Sequence, residues 1–143
     1  MIVVDANLLI YSHNEAAPQH DSARAWLRGV LSGSHAVGLP WVVIQAFLRI
    51  MTTTHMLPTP LPMPTAISVV DDWFASPVVD TIEPGPRHWE ILRRLIINAN
   101  VRGGMVTDAH IAALAIEHDA TLYTADSDFR RRFPEVRVVN PLR

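Results

Sequence analysis

The sequence predicts an α/β protein in which a mostly parallel central sheet is covered by helices on both faces, a three-layer α/β/α arrangement. Three observations predict it. Short β-branched runs alternate with longer segments of helical periodicity. The first such run, Met1-Ile2-Val3-Val4, is apolar to its end at Asp5 and reads as a buried, central strand. Val106 to His118 carries apolar residues on nearly every face, as a helix packed on both sides requires. Parallel neighbours need a crossover element, and right-handed crossovers place helices outside the sheet.

The elements follow in order. After Asn7 comes the apolar stretch Leu8-Leu9-Ile10-Tyr11, then a polar break. Ser22 to Leu31 places Ala23, Trp26, Leu27 and Val30 at helical spacing. Ala36 to Leu39 is a second strand candidate stopped by Pro40, and Trp41 to Met51 is apolar enough for a core helix ending near Thr52. Between Pro58 and Pro64 every second residue is proline, which fixes φ and removes backbone donors, so this stretch reads as a stiff connecting loop rather than a ligand for a proline-docking module. Ala66 to Ala75 resumes helical spacing, and Val78-Val79 begins a third strand. Pro84-Gly85-Pro86 leads into a helix over Arg87 to Asn98 that ends before Gly103-Gly104. After the buried helix, Thr121 to Thr124 reads as a strand, Ser127 to Arg132 as a turn and short helix, and Val136 to Val139 as the last strand.

At 143 residues the chain is close to the common domain length, and a single domain spanning 1–143 is expected. Nearly half of it is apolar, which argues against disorder. No stretch approaches the roughly 20 apolar residues of a membrane span, and the N-terminus lacks the pattern of a secretion signal, so a cytosolic protein without membrane contact is expected. Cysteine is absent, which removes disulfides, thiolate ligands and a thiol nucleophile. Lysine is absent as well: all 12 basic residues are arginine, so a P-loop, a Schiff base or a phosphotransfer receiver site, each of which needs that amine, is excluded. The net charge of −2 gives no general attraction to nucleic acid, so contact with phosphates must come from local arginines or metal ions.

Ligands of a parallel sheet gather beyond the carboxyl ends of its strands, so acidic residues there mark the candidate site. Asp5 follows the first strand directly. Asp126 follows the Thr121 to Thr124 strand by one residue, with Asp128 two positions on, and Asp108 opens the buried helix. Carboxylates held together repel one another unless a cation neutralises them, so a cluster of these four implies a metal. Mg²⁺ or Mn²⁺, which choose oxygen ligands, would activate water and steady charge during phosphodiester cleavage. For each Asp alone, a helix N-cap is the ordinary role, and Asp128 also fits an Asx turn. Asp5 fits the ordinary role least, because a carboxylate beyond a buried strand is costly unless paired or metal-bound.

Taken together, Val3-Val4-Asp5-Ala6-Asn7, Val106-Thr107-Asp108-Ala109-His110-Ile111-Ala112-Ala113-Leu114-Ala115, Thr124-Ala125-Asp126-Ser127-Asp128-Phe129 and the closing Val139-Asn140-Pro141 resemble a PIN-domain protein over nearly the whole chain, specifically a VapC-type toxin of a toxin–antitoxin pair. The resemblance implies a PIN-like fold, an Mg²⁺- or Mn²⁺-dependent endoribonuclease, a homodimer and a cognate small antitoxin that blocks the site. It implies Asp5, Asp108 and Asp126 as metal ligands, with Asp128 assisting. The chain departs from the pattern at Ala46, in Ile44-Gln45-Ala46-Phe47-Leu48-Arg49, where the family usually places a Glu. Gln45 points about 100° away around a helix and is a neutral, weaker ligand. The gap keeps open a weak or inactive nuclease that acts by binding RNA or antitoxin.

Asn7 and Thr107 flank the cluster and could orient carboxylates or water by hydrogen bonds. Arg130, Arg131 and Arg132 stand beside the acidic turn and could hold the phosphates of RNA, with Arg49 or Arg102 helping, although a solvated helix end is their ordinary role. His110 and His118 lack the spacing of paired zinc ligands. Trp26, Trp41, Trp73 and Trp89 lie among apolar neighbours at helical positions, so core packing or a dimer contact is expected of them rather than base stacking.

Overall fold

A computed structural model describes residues 1–143. Its elements run β1 (Ile2–Val4), α1 (Ala6–His13), α2 (His20–Leu31), β2 (Val37–Pro40), α3 (Trp41–Met51), α4 (Met63–Ala75), β3 (Val79–Ile82), α5 (His88–Asn98), α6 (Met105–Glu117), β4 (Thr121–Tyr123), α7 (Asp128–Arg132) and β5 (Arg137–Val139). The strand order is β3-β2-β1-β4-β5 and every pair is parallel, so the mostly parallel sheet expected from sequence is wholly parallel, with β1 at its centre.

This order positions the site. From β1 the chain steps outward to β2 and β3, then crosses back to lay β4 on the other flank of β1. The direction of travel therefore reverses between β1 and β4, and the segments leaving their carboxyl ends part to open a crevice. Asp5 leaves one of those ends and Asp126 follows the other closely. Helix α1 packs on α2 and α3, α3 packs on α4, and α5 packs on α6, giving the helical layers that sandwich the sheet.

The core explains why these segments form these elements. Val3 and Val4 of β1, Leu8 and Leu9 of α1, Phe47 of α3 and Leu122 of β4 are fully buried, each worth roughly 1.5–3 kcal/mol of burial. Helix α6 buries Ala109 and an unbroken run from Ile111 to Ala115, so close approach on more than one side is possible because three of those five residues are alanine. Both α5 and α6 end on a left-handed residue, Asn100 at φ 50° and Asp119 at φ 51°. Short polar side chains tolerate that conformation, and the amides of Val101 and Ala120 bond back to Ile96 and Ala115 to close the helices.

One expectation needs correction and another divides. Helix α4 begins at Met63, so Pro64 lies inside it rather than in the connecting loop. Proline is tolerated there because an amide in the first helical turn has no intrahelical partner to lose. Of the tryptophans, for which core packing or a dimer contact is expected, Trp73 is core at 2 % exposure and Trp26 stacks on Tyr123, while Trp41 and Trp89 are 47 % and 66 % exposed and so lie outside the core of the single chain. Helical spacing shows that residues share a face, not that the face is covered.

Candidate active site at the β1–β4 switch point

Asp5 caps α1: its Oδ1 accepts the Ala6 amide at 2.7 Å. Its Oδ2 accepts the Thr124 hydroxyl at 2.8 Å and Asn7 Nδ2 at 3.3 Å. Only 7 % of the residue is exposed. Burial pushes its carboxyl above the usual aspartate range; the bonds from Thr124 and Ala6 pull against this, while repulsion from Asp108 and Asp126 adds to it.

Thr124 is the junction. Its single hydroxyl proton goes to Asp5, and its oxygen accepts Asn7 Nδ2 at 3.0 Å and the Asp126 amide at 3.1 Å. That uses all the bonding capacity of a buried hydroxyl. Asn7 in turn accepts the Ala125 amide at 3.1 Å, so it does orient the cluster, as its position suggested. Thr107 does not: it is exposed on α6 and bonded to none of the carboxylates. The orienting hydroxyl comes instead from Thr124, which sequence reading passed over. The available signal was a hydroxyl residue at a strand's carboxyl end, two positions before an Asp.

Asp126 Oδ1 accepts the Asp128 amide at 2.9 Å, an Asx turn that starts α7. Asp108 sits in the first turn of α6, where the helix dipole favours negative charge. Burial raises its carboxyl, Arg132 opposes that rise, and Asp126 adds to it. The structure thus brings Asp5, Asp108 and Asp126 within electrostatic range of one another. Asp128 is turned elsewhere: it is half-exposed and pairs with Arg131 at 2.9 Å and Arg132 at 3.4 Å. Arg132 also donates to Asp108 at 3.0 Å. The basic triplet therefore divides, with Arg131 and Arg132 engaged by carboxylates and Arg130 bonded to the Val138 carbonyl.

The donor set is oxygen alone and carries the mutual repulsion that a hard divalent cation relieves. In the structure the Arg132 guanidinium supplies that positive charge, a stand-in for such an ion. As the side chains stand, no three His, Asp or Glu residues are grouped to hold a metal. Ala46 is half-buried on α3 and contributes no donor, while Gln45 is exposed. The histidines lie elsewhere: His110 bonds His88 at 3.0 Å in the α5–α6 contact, and His118 bonds the Glu83 carbonyl at 2.9 Å. A cavity of about 400 Å³ between α1, α2 and α4 touches none of the clustered carboxylates. A second, of about 380 Å³, is lined by Thr124 and Asp126.

Residues 2–132 match the family model of the PIN domain. The chain is 43% identical over 141 residues to Ribonuclease VapC37 of Mycobacterium tuberculosis, covering 99% of this chain and 97% of that protein. Its fold is similar to that in a crystal structure of VapBC2 from Rickettsia felis bound to a DNA fragment from its promoter, with TM-score 0.70, 19% identity and 98% of each chain covered. It is also similar to Mycobacterium tuberculosis VapC20, a sarcin-ricin loop cleaving toxin, with TM-score 0.69, 19% identity and coverage of 96% and 99%.

Proposed function

The chain belongs to the PIN domain family, as a VapC-type ribonuclease, and from that premise we propose that it cleaves RNA with a divalent cation, Mg²⁺ or Mn²⁺, held by Asp5, Asp108 and Asp126. The observation that carries the reading is Thr124, whose hydroxyl ties the Asp5 carboxylate at 2.8 Å to the Asp126 amide at 3.1 Å across the switch point. When bound, such an ion lowers the pKa of water and offsets charge developing on the scissile phosphate.

The protein's own residues prepare that site. Asn7 and Thr124 fix Asp5 so that no reorganisation is needed as charge develops. Arg132 neutralises Asp108 until a cation replaces it, and Asp128 holds Arg132 in place. Arg130 stands beside Asp126, where it can meet a phosphate flanking the scissile bond. A small antitoxin and a second copy of the chain are the proteins we expect it to bind; the Rickettsia felis neighbour, which shares the fold, is a VapBC pair on promoter DNA. No helix is long and apolar enough to cross a membrane, and we place its action in the cytoplasm, where its RNA substrate is found.

Two observations favour a second reading, a PIN-fold protein that binds RNA or antitoxin without turnover: Ala46 adds no ligand, and Arg132 already occupies Asp108. The test is cleavage of a labelled RNA by wild type and Asp5→Ala, with Mn²⁺ and with EDTA. The nuclease reading expects cleavage only by wild type with Mn²⁺. RNA binding without cleavage in every lane would sink it and leave the second reading.

A further inference from the structure

The cavity of about 380 Å³ beyond the ends of β4 and β5 has a construction of its own. One wall is Thr124 and Asp126, so whatever fills it also touches the carboxylate centre. The lining also carries Arg130, Asn140 and Arg143, together with Val138 and Val139 of β5, of which Val139 is the exposed one while Val138 packs against the core. Its volume lies in the range of small-ligand clefts, about 300–1,000 Å³. In a chain of net charge −2, two arginines facing a carboxylate site mark where a polyanion can approach.

The polar groups here are fixed in advance. Arg130 reaches across from α7 to donate to the Val138 carbonyl of β5 at 2.8 Å, which ties down one arm and leaves the rest of its donor fork free. Asn140 accepts the Leu142 amide at 3.0 Å. Because that partner is a donor, the bonding atom must be the amide oxygen, and the two hydrogens on Nδ2 remain for an outside acceptor. Arg131 and Arg132, by contrast, are held by Asp128 and Asp108.

We propose that this cavity is a nucleotide subsite, in which Arg130 and Arg143 hold the phosphate beside the scissile one and Asn140 donates to a carbonyl on the base, whose face lies on the exposed Val139. The assignment rests on the RNA-cleaving reading for its substrate. Cations position the backbone, and a single oriented amide supplies the base preference.

The test is binding of labelled single-stranded RNA homopolymers by fluorescence anisotropy in EDTA, where cleavage plays no part, over a salt series. Arg143→Ala is expected to weaken binding on the order of three- to tenfold and to reduce the slope of log affinity against log salt by about 1. Arg28→Ala, in the other cavity, should bind as wild type. Asn140→Asp keeps the oxygen that holds the Leu142 amide but loses the donor, so base preference among the homopolymers should flatten even if Asn140→Ala fails to fold. Wild-type affinity, salt slope and base preference in both Arg143→Ala and Asn140→Asp would overturn the subsite. Arg143-dependent binding by a protein that never cleaves with Mn²⁺ would uphold the subsite and defeat only the catalytic reading.

Discussion

Arg132 donates to Asp108 at 3.0 Å through Nη1 and reaches Asp128 at 3.4 Å through Nη2, so one guanidinium from the end of α7 bridges two acidic side chains at the site's edge. The Arg132–Asp108 pair is partly exposed, at 21% and 30%, which limits its worth to about 1 kcal/mol. Replacing Arg132 by Gln should therefore tighten Mn²⁺ binding by up to about fivefold, since the cation no longer competes with an internal charge. Isothermal titration of both proteins with Mn²⁺ checks this; equal or weaker binding by Arg132→Gln would show that Arg132 does not guard the site.

Mn²⁺ should raise the melting temperature of wild type and leave that of Asp5→Asn unchanged, because an ion that binds only the folded state stabilises it. The effect has a pH sign. Asp5 and Asp108 are both held above the usual aspartate range, chiefly by burial, so protons compete with the cation at higher pH than ordinary aspartates would allow. The Mn²⁺-induced rise should shrink as pH falls, starting above the ordinary aspartate range. A rise that holds steady down to that range would contradict the assignment of these ligands.

Thr124→Val removes a donor and an acceptor from a buried junction at similar volume. It should cost about 1–3 kcal/mol in chemical denaturation, since Asp5 loses a bond and the Asp126 amide loses its acceptor. Thr124→Ser should recover most of that and of the Mn²⁺ response. A fully stable Thr124→Val that binds Mn²⁺ normally would remove Thr124 from the site.

Glu117 offers a pH-dependent contribution away from the site. Its carboxylate accepts the amides of Gly85 at 2.8 Å and Arg87 at 2.9 Å, clamping the entry to α5 onto α6. A side chain at Gly85 would place its Cβ 2.5 Å from Glu117 Oε2, so any larger residue there would have to push that carboxylate aside. Burial would raise the Glu117 carboxyl, but those two amides, with His88 and His118, hold it below the usual glutamate range. A group depressed in this way stabilises the fold above its unfolded-state value, and the contribution is lost as pH falls through the lower folded-state value. Glu117→Gln should thus cost about 1 kcal/mol at neutral pH, with the gap to wild type closing below the ordinary glutamate range. A gap independent of pH would mean that the charge plays no part.

Ala46→Glu adds the carboxylate that the family pattern places on α3. It should strengthen Mn²⁺ binding and lower stability without metal, because one more negative charge joins a repelling set. Calorimetry and thermal melts with and without Mn²⁺ read both effects. Unchanged binding would mean that position 46 lies outside the site's reach.

The sequence carried the order of strands and helices because burial writes itself as periodicity: Val3-Val4 and Leu122 sit where their apolar runs placed them, and the apolar residues spread around Val106 to His118 matched a helix packed on several faces. It also carried the positions of Asp5, Asp108 and Asp126, since a charge next to a buried segment stands out. It did not carry pairings between distant side chains. Nothing local to Thr124 says that its hydroxyl meets Asp5, and nothing local to Arg132 says that it crosses to Asp108. Trp89 shows the same limit, because a helical stripe does not reveal whether the protein's own core covers it.

The bond that completes the centre joins residues 119 positions apart, from the first strand to the end of the fourth. During synthesis at about 5–20 residues per second, Asp5 therefore waits several seconds for Thr124 to leave the ribosome. Parallel pairing across such a span is also slow to form, because loop closure must precede contact. Until Thr124 has emerged, the Asp5 carboxylate lacks the hydroxyl that orients it, so the carboxylate centre can be assembled only when the chain is nearly finished.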